Sequence, residues 1–478
     1  MSSPPASIAD SAPPRDDAPT DPADEPPRRS TVLRRDLRLI AADGGAYSLM
    51  VGIGETYFPA FVLALGAGEI AAGLVASLPM LAGGFVQLAA PWGVRRIGSH
   101  RLWVALTVAI QAASFLPMIA MALLGRGPVA IVFLAASVYW AAGLAAGAAW
   151  NTWMSRLVPT LLRTTFFAHR TRIMQAATLI GLLAGGWALQ AASRPWGPAA
   201  MFAVLFSVAM LARLVSSMLL TRHSESDAEL DTHQDVSLGE LWRRARHGPD
   251  GRLLVYMLAV QTTIQIAGPF FTPYLLNQLH FSYLAYSVLI AAAFVAKSAT
   301  LPALGRFARR RGVRRLLWLG GWGIVPLSAL WLVSGDFWYL LAVQLLAGAM
   351  WGAYELGNFL MLFETIREEE RTSVLAAFNL ANAVALVGGS LIGGAMLHFI
   401  GEGRTAYMVL FAASFVGRLL TLPLLRRVPD RPFVPVPIVV RADAMRPSAG
   451  SLSRPVLSSL PRGAAAEESE PKTRYPIS

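Results

Sequence analysis

The sequence contains no cysteine, so neither a disulfide framework nor a thiolate metal site can be proposed for it. It is also poor in charge, because only 15% of its 478 residues are charged while 55% are hydrophobic, and its mean hydropathy is +0.49. A soluble chain of this length needs far more polar surface to cover its core. The surplus of apolar residues must therefore face lipid, which predicts an integral membrane protein.

Lysine is nearly absent, with only Lys297 and Lys472, so arginine supplies the net charge of +12. These arginines lie between apolar runs, where residues that set membrane topology are found, and no nucleic-acid partner is expected. The sequence lacks a phosphate-binding loop of the Gly-x-x-x-x-Gly-Lys-Ser/Thr type, a His-Glu-x-x-His motif and a nucleophile signature. We therefore expect no ATP-driven pump, no metal or other cofactor, and no enzyme activity.

Apolar runs of about 20 residues, the length that spans a bilayer, follow one another along the chain. They are expected to be helices, because every backbone polar group in lipid must be hydrogen-bonded within its own segment. We place them near 39–65, 69–91, 102–124, 129–149, 171–193, 199–221, 253–276, 281–304, 316–334, 337–363, 374–400 and 405–425. The flanking residues 1–36 and 428–478 are rich in small, polar and proline residues, and both are predicted to be disordered tails.

Arginine is concentrated in alternate loops between these runs. One set of loops carries Arg95, Arg96, Arg101, Arg156, Arg163, Arg170, Arg172, Arg222, Arg243, Arg244, Arg246, Arg252, Arg306, Arg309, Arg310, Arg311, Arg314, Arg315, Arg367 and Arg371. The other set carries only Arg126, Arg194 and Arg404. Because positive loops lie on the cytoplasmic side, this alternation predicts twelve spans in a bacterial inner membrane, with both termini in the cytoplasm.

The chain also repeats itself after roughly 200 residues. The loop at 96–101 matches the loop at 310–315, 214 residues later, and Pro59 matches Pro273 at the same offset. Arg213-Leu214 matches Arg418-Leu419, and the glycines at 181, 185 and 186 match those at 389, 393 and 394. The repeat predicts an N-terminal half at 37–221 and a C-terminal half at 253–427, each of six helices and in parallel orientation, joined by a cytoplasmic linker at 222–252.

On these repeats and loops the chain resembles the major facilitator superfamily over roughly 37–427. The family's loop reads Gly, three residues, Asp, Arg, one residue, Gly and then basic residues. The second copy keeps Gly305, Arg310, Gly312 and Arg314, and the first keeps Arg96, Gly98 and Arg101, whereas Arg95 and Arg309 stand where the family prefers Asp. The resemblance implies an all-α membrane fold whose first, fourth, seventh and tenth helices line a central cavity.

Polar side chains within the hydrocarbon are costly and are therefore functional candidates. Glu55 lies past the middle of the first helix, so the resemblance implies that it faces the solute and could exchange a proton; it could instead be a structural carboxylate. The remaining cavity candidates are Glu355 and Asn358 in the tenth helix, Gln261 and Gln265 in the seventh, and Trp140 and Tyr274 as aromatic walls. Each of these could equally serve packing between helices.

Other residues receive interpretations that do not involve solute binding. Lys297 is placed in the cytoplasmic third of its helix and is expected to snorkel toward the loop that contains Arg306. Gating or contacts between the halves are assigned to Arg213 and Arg418 and to the loop residues Arg95, Arg96, Gly98, Arg101, Gly305, Arg309, Arg310, Gly312 and Arg314. The small-residue pairs Gly181/Gly185 and Gly389/Gly393 are expected to form sliding contacts between the halves.

The sequence thus predicts a monomeric secondary transporter that carries a small solute across the bilayer by alternating access, with a proton as the coupling ion. A cavity with few fixed charges favours an uncharged or amphipathic solute. The alternative is a receptor or scaffold that uses the same fold without transport and binds partners through its tails.

Overall fold

The computed structural model describes residues 27–158, 160–192, 197–224, 249–365 and 371–428, and within these ranges the chain forms helices and turns without any strand. Most of both predicted tails and most of the linker lie outside the described residues. Eleven helices of the described part are long and apolar enough to cross a membrane. Their arrangement is that of an all-α membrane protein.

The N-terminal half contains six helical segments, α1 to α6. Their bounds are α1, Pro27–Ile53 with a 3₁₀ turn at Glu55–Tyr57 and a continuation at Phe58–Ala64; α2, Glu69–Leu74 and Leu78–Leu88, followed by Ala90–Ile97; α3, His100–Ala113 and Phe115–Leu124; α4, Val129–Leu157; α5, Thr160–Ala192; and α6, Gly197–Thr221.

The C-terminal half contains the corresponding segments α7 to α12. Their bounds are α7, Pro249–Ala267 with short helical turns at Gly268–Phe270, Phe271–Pro273 and Tyr274–Gln278; α8, Tyr283–Arg311; α9, Val313–Gly323 and Leu327–Leu330; α10, Phe337–Thr365; α11, Arg371–Ile400; and α12, Arg404–Arg426.

Two boundaries differ from the sequence expectation. The ninth segment is present but is divided before Leu327, next to a glycine-rich stretch and Pro326, so neither piece alone is long enough to span a bilayer. The first helix begins at Pro27, inside the range assigned to a disordered tail. Proline is well tolerated in the first turn of a helix, and Asp36 of this extension is buried.

Helix pairing is the same in both halves. In the first half α1 packs against α5 and α6, and α4 packs against α2 and α3; in the second half α7 packs against α11 and α12, and α10 packs against α8 and α9. The halves meet where α5 contacts α8 and where α2 contacts α11. Large apolar side chains on the outer helix surfaces, such as Leu134, Trp187 and Leu420, are about two-thirds exposed, as expected for side chains that face lipid.

Glycines allow the closest of these helix contacts. A Cβ on Gly181 would lie 2.9 Å from the Leu49 carbonyl oxygen in α1, and one on Gly389 would lie 2.2 Å from the Thr262 carbonyl oxygen in α7. Gly185 and Gly393 likewise approach α1 and α7. The expectation that these four glycines join the two halves is therefore wrong, because they pack helices within each half.

The next glycine along each helix does face the other half. A Cβ on Gly186 would clash with Ser287 of α8, and one on Gly394 would touch Ile70 of α2. One helical step rotates a side chain by about 100°, so adjacent glycines serve different neighbours.

Candidate functional site

A cavity of about 180 Å³ lies between the two halves, near the middle of the helices. Its wall is formed by α1, α2 and α4 from the first half and by α7 to α12 from the second. Most of the wall is apolar and aromatic, and its charged residues are Glu55, Glu355, Lys297 and Arg418. An apolar concave space with a few convergent polar groups is typical of a small-molecule site.

The helix that carries Glu55 is interrupted beside the cavity. The α-helix ends at Ile53, and Gly54 leads into the 3₁₀ turn at Glu55–Tyr57; a Cβ on Gly54 would lie 2.7 Å from the Ala209 side chain. The Thr56 hydroxyl donates to the Val51 carbonyl oxygen at 2.9 Å, which satisfies a backbone group near the break. In the second half α7 is interrupted at the corresponding level by Gly268–Phe270. Paired interrupted helices near the membrane centre are characteristic of transporter binding sites.

Glu55 reaches the cavity wall, where a neighbouring helix holds its carboxylate. The Tyr139 hydroxyl of α4 donates to Glu55 Oε2 at 2.6 Å. Tyr139 is fully buried among aromatic rings, packing edge-on against Phe58 with 5.3 Å between ring centroids. The carboxylate therefore has a fixed position at the wall.

The position of Lys297 differs from the sequence expectation. It occupies the midpoint of α8, is 4% exposed, and its Nζ lies 3.3 Å from Glu355 Oε2 of α10. The expectation that it snorkels toward Arg306 is wrong, because a carboxylate in the cavity wall compensates its charge at mid-helix. Glu355 is thus on the wall as predicted, with a partner that the sequence did not reveal.

The two repeated arginines have different surroundings. Arg213 of α6 donates from Nε to Gln111 Oε1 at 2.8 Å and from Nη1 to Ser216 Oγ at 2.9 Å, and its guanidinium covers the Tyr47 ring. Ser216 in turn donates to Asp43 at 2.5 Å. Arg213 therefore belongs to a buried network inside the first half, and its assignment to gating stays a prediction.

Arg418 of α12 has no comparable network. It lies on the cavity wall, is 3% exposed, and its Nη1 donates to the Ile324 carbonyl oxygen at 2.9 Å. Its Nε is buried without a hydrogen-bond partner in the described part of the chain. Arg418 thus lies on the cavity wall, and its assignment to gating stays a prediction.

The remaining cavity candidates divide into two groups. Gln265 and Trp140 are on the wall. Gln261, Asn358 and Tyr274 are buried but lie outside the wall. Tyr274 packs instead against the rings of Trp331, Tyr407 and Phe411, which form an aromatic cluster within the second half.

A polar cluster that the sequence did not predict joins the halves at the end of the bundle opposite the helix end at Arg426, here called the distal face. Glu69 of α2 is 5% exposed and accepts hydrogen bonds from the Tyr407 hydroxyl at 2.5 Å and from Gln278 Nε2 at 2.8 Å. Its backbone N–H donates to Glu402 Oε2 at 3.3 Å. Because Glu69 is in the first half and its partners are in the second, we call this cluster the distal lock.

Two further contacts join the halves between α1 and α8. The hydroxyls of Tyr57 and Ser287 are 2.7 Å apart, and the Tyr286 hydroxyl donates to the Thr56 carbonyl oxygen at 3.4 Å. All four residues belong to α1 or α8, so these contacts connect the interrupted first helix to the second half.

The two predicted loop motifs lie at the opposite face, where α12 ends at Arg426, here called the terminal face. Gly98 and Gly312 have φ angles of 75° and 89°, a region that favours glycine, and each ends a helix. Arg95, Arg96, Arg309 and Arg310 are exposed in the last turns of those helices, Gly305 lies within α8, and Arg314 lies at the start of α9. Arg101 donates to the His223 carbonyl oxygen at 3.3 Å.

His223 is buried at the terminal face and stacks edge-on against Trp153. Its Nδ1 lies 2.9 Å from the Leu219 carbonyl oxygen. Burial lowers the pKa of His223 below its ordinary value, although the nearby carboxylates Asp43 and Asp36 oppose this effect. Among the described residues, no cluster of three or more His, Cys, Asp or Glu could hold a metal ion.

Comparison with known proteins supports a membrane transporter. The sequence model of the Major Facilitator Superfamily matches residues 253–455. The nucleoside transporter NupG has a similar structure: a point mutant of it aligns with a TM-score of 0.65 and 12% identity, over 82% of this chain and 99% of that one. A second NupG structure aligns with a TM-score of 0.61 and 12% identity, over 82% and 98% of the two chains. No curated protein matches the sequence. Residues 253–455 thus match the Major Facilitator Superfamily, and the fold of the described residues is similar to that of the two NupG structures.

Proposed function

We propose that this protein is a secondary active transporter that moves a small solute across a bacterial inner membrane by alternating access. The observation that carries the proposal is the cavity between two similarly built halves, with interrupted helices from both halves beside it. The halves are joined at the distal face by the distal lock. Breaking this lock while closing the terminal face would expose the cavity alternately to the two sides.

A proton is the proposed coupling ion, and Glu55 is its proposed carrier. The carboxylate lies on the wall of the cavity and accepts a hydrogen bond from Tyr139. Both forms of the carboxyl group can be accommodated, because the tyrosine hydroxyl can donate to a carboxylate or accept from a protonated acid. Protonation there would change the charge of the wall directly where a solute binds.

The test is solute accumulation in proteoliposomes under an imposed pH gradient, with a solute chosen by screening a library for currents on supported membranes. Wild-type protein should accumulate the solute against its gradient, whereas Glu55→Gln should only equilibrate it. The control is Asp336→Asn, which removes an exposed carboxylate outside the cavity and should retain accumulation. Full pH-driven accumulation by Glu55→Gln would rule out the proton role.

The alternative of a receptor or scaffold predicts a different result. Removing residues 1–26 and 429–478 should leave a transporter active, whereas a scaffold that binds partners through its tails should lose its function. Single cysteines introduced near residue 235 and close to each end test the proposed cytoplasmic location of the linker and both termini. The native chain contains no other thiol that would react.

A further inference from the structure

We infer that the transported solute is an amphipathic organic anion, and that its anionic group binds Arg418 in the cavity wall. Transport of this anion rests on the proposed function, whereas its binding to Arg418 can be tested separately. The two repeated arginines differ in their hydrogen bonds: the protein supplies partners for Arg213 but leaves Arg418 Nε without one in the described part of the chain.

The Arg418 guanidinium is a buried cation with incomplete hydrogen bonding. Arginine remains protonated in proteins and offers five N–H donors. Arg418 is 97% buried, and only the contact from its Nη1 to the Ile324 carbonyl oxygen is described, while its Nε has no partner in the described part of the chain. No carboxylate in that part forms an ion pair with it. A buried cation with free donors is costly unless an anion completes the site.

Arg213 occupies the position in the first half that Arg418 occupies in the second half. Gln111, Ser216 and the Tyr47 ring surround its guanidinium, and Asp43 is one hydrogen bond away. Arg213 is absent from the cavity wall, whereas Arg418 is part of it. One copy of the repeated arginine is therefore satisfied by the protein, and the other is left with donors beside a cavity.

Four charged side chains determine the net charge of the cavity wall. Lys297 and Glu355 form an ion pair and cancel, which leaves the cation of Arg418 and the carboxyl group of Glu55. When Glu55 is ionised, the wall is neutral overall; when Glu55 is protonated, the wall carries one positive charge. An anion therefore binds best to the form with a proton on Glu55, so that one proton enters with each anion.

The rest of the wall determines the body of the solute. Aromatic side chains from both halves, including Phe58, Trp140, Phe271, Phe294 and Trp351, line the space beside the charged groups. Such rings favour an apolar or aromatic body. The chemical class is thus a carboxylate or similar anion attached to an apolar group.

The test uses three probes of one shape and different charge: phenylacetate, phenylacetamide and the phenethylammonium ion. Binding to purified full-length protein is measured by equilibrium dialysis and by the shift in unfolding temperature followed by tryptophan fluorescence, at constant ionic strength. Wild-type protein should bind phenylacetate at least about tenfold more tightly than either other probe, as a charge-assisted pair predicts. Equal or tighter binding of the amide or the amine, or no binding of phenylacetate, would overturn the inference even if no variant could be purified.

Substitutions of Arg418 test whether the anionic group binds there. Arg418→Gln should weaken phenylacetate binding by about 10- to 100-fold, and Arg418→Lys should weaken it less. The matched control Arg213→Lys should lower the unfolding temperature but keep the phenylacetate-induced shift. If Arg418→Gln folds and binds phenylacetate as wild type does, the site is not at Arg418.

Proton linkage is the last measurement. The titratable or charged groups of the wall are Glu55, Glu355, Lys297, Tyr286 and Arg418, and Tyr139 contacts Glu55. Wild-type affinity for phenylacetate should rise as the pH falls, and Glu55→Gln should bind with little pH dependence. Binding of phenylacetate without transport would reject the proposed transport function but not the anion site. Transport of the amide or the amine driven by a pH gradient would reject the anionic class of the solute but not the transport function.

Discussion

The distal lock provides the most direct test of how the two halves separate, and the perturbation is Glu69→Gln. The carboxylate of Glu69 accepts hydrogen bonds from Tyr407 at 2.5 Å and Gln278 at 2.8 Å, both in the other half. Hydrogen bonds to a charged group contribute about 1.5–3 kcal/mol each, and a neutral amide keeps only one weaker acceptor bond. We therefore expect the closed distal face to lose about 2–4 kcal/mol of stability.

A loss of this size corresponds to a shift of roughly 30-fold or more toward a state with an open distal face. The assay is the rate at which Thr272→Cys, on the cavity wall, reacts with a membrane-impermeant maleimide added from the distal side. Because the native chain has no cysteine, this thiol is the only reactive one. Glu69→Gln should raise the labelling rate at least about tenfold, and Tyr407→Phe should raise it by a smaller factor.

The control is Ser390→Ala, which removes a buried hydrogen bond to the Leu386 carbonyl oxygen within a single helix. It should leave the labelling rate unchanged. If well-folded Glu69→Gln protein is labelled at the rate of the background protein, the cluster does not hold the distal face closed and the reasoning is refuted.

Two further predictions concern stability. Gly389→Ala should destabilise the protein by at least about 1–3 kcal/mol, because its Cβ would lie 2.2 Å from the Thr262 carbonyl oxygen. Gly388→Ala should be near neutral, because a Cβ there would have no atom of another helix within 4 Å. Equal unfolding temperatures of the two variants would contradict this packing. The lowered pKa of His223 means that the folded state binds fewer protons than the unfolded state, so stability should fall as the pH drops below about 6.5. His223→Gln should flatten the loss of unfolding temperature between pH 7.5 and 5.5, while the control His398→Gln at an exposed site should not.

The sequence predicted the fold well because the relevant signals are periodic and one-dimensional. Apolar runs and the repeat between residues such as Pro59 and Pro273 depend only on position along the chain. The same is true of the depth of a residue in its helix, whereas the expectation that the first and tenth helices line a cavity came from the family resemblance. Glu55 and Glu355 of these helices lie on the cavity wall, and their roles in transport stay predictions.

The direction in which a helical side chain points could not be predicted in the same way. Gly185 and Gly186 are neighbours in sequence, yet one packs inside its half and the other faces the opposite half. Arg213 and Arg418 are equivalent in the repeat, yet only Arg418 reaches the cavity. Such differences depend on the rotation of each helix about its axis and on the side chains that its neighbours supply.

The distal lock was missed for a related reason. Glu69 is the first residue of its helix, a position where a carboxylate is usually solvated. Its partner Tyr407 is 338 residues away in the chain. A single sequence contains no signal for a pairing of that kind. A proline-rich start likewise concealed that residues 27–36 continue the first helix.

The contacts described between the halves are made by hydroxyl groups, one amide, main-chain atoms and the carboxylates Glu69 and Glu402, without an opposite formal charge across the boundary. Ion pairs at exposed boundaries weaken as dissolved ions screen them, whereas buried hydrogen bonds of this kind are much less affected. The seal on that side of the bundle should consequently tolerate wide swings in the concentration of dissolved salts.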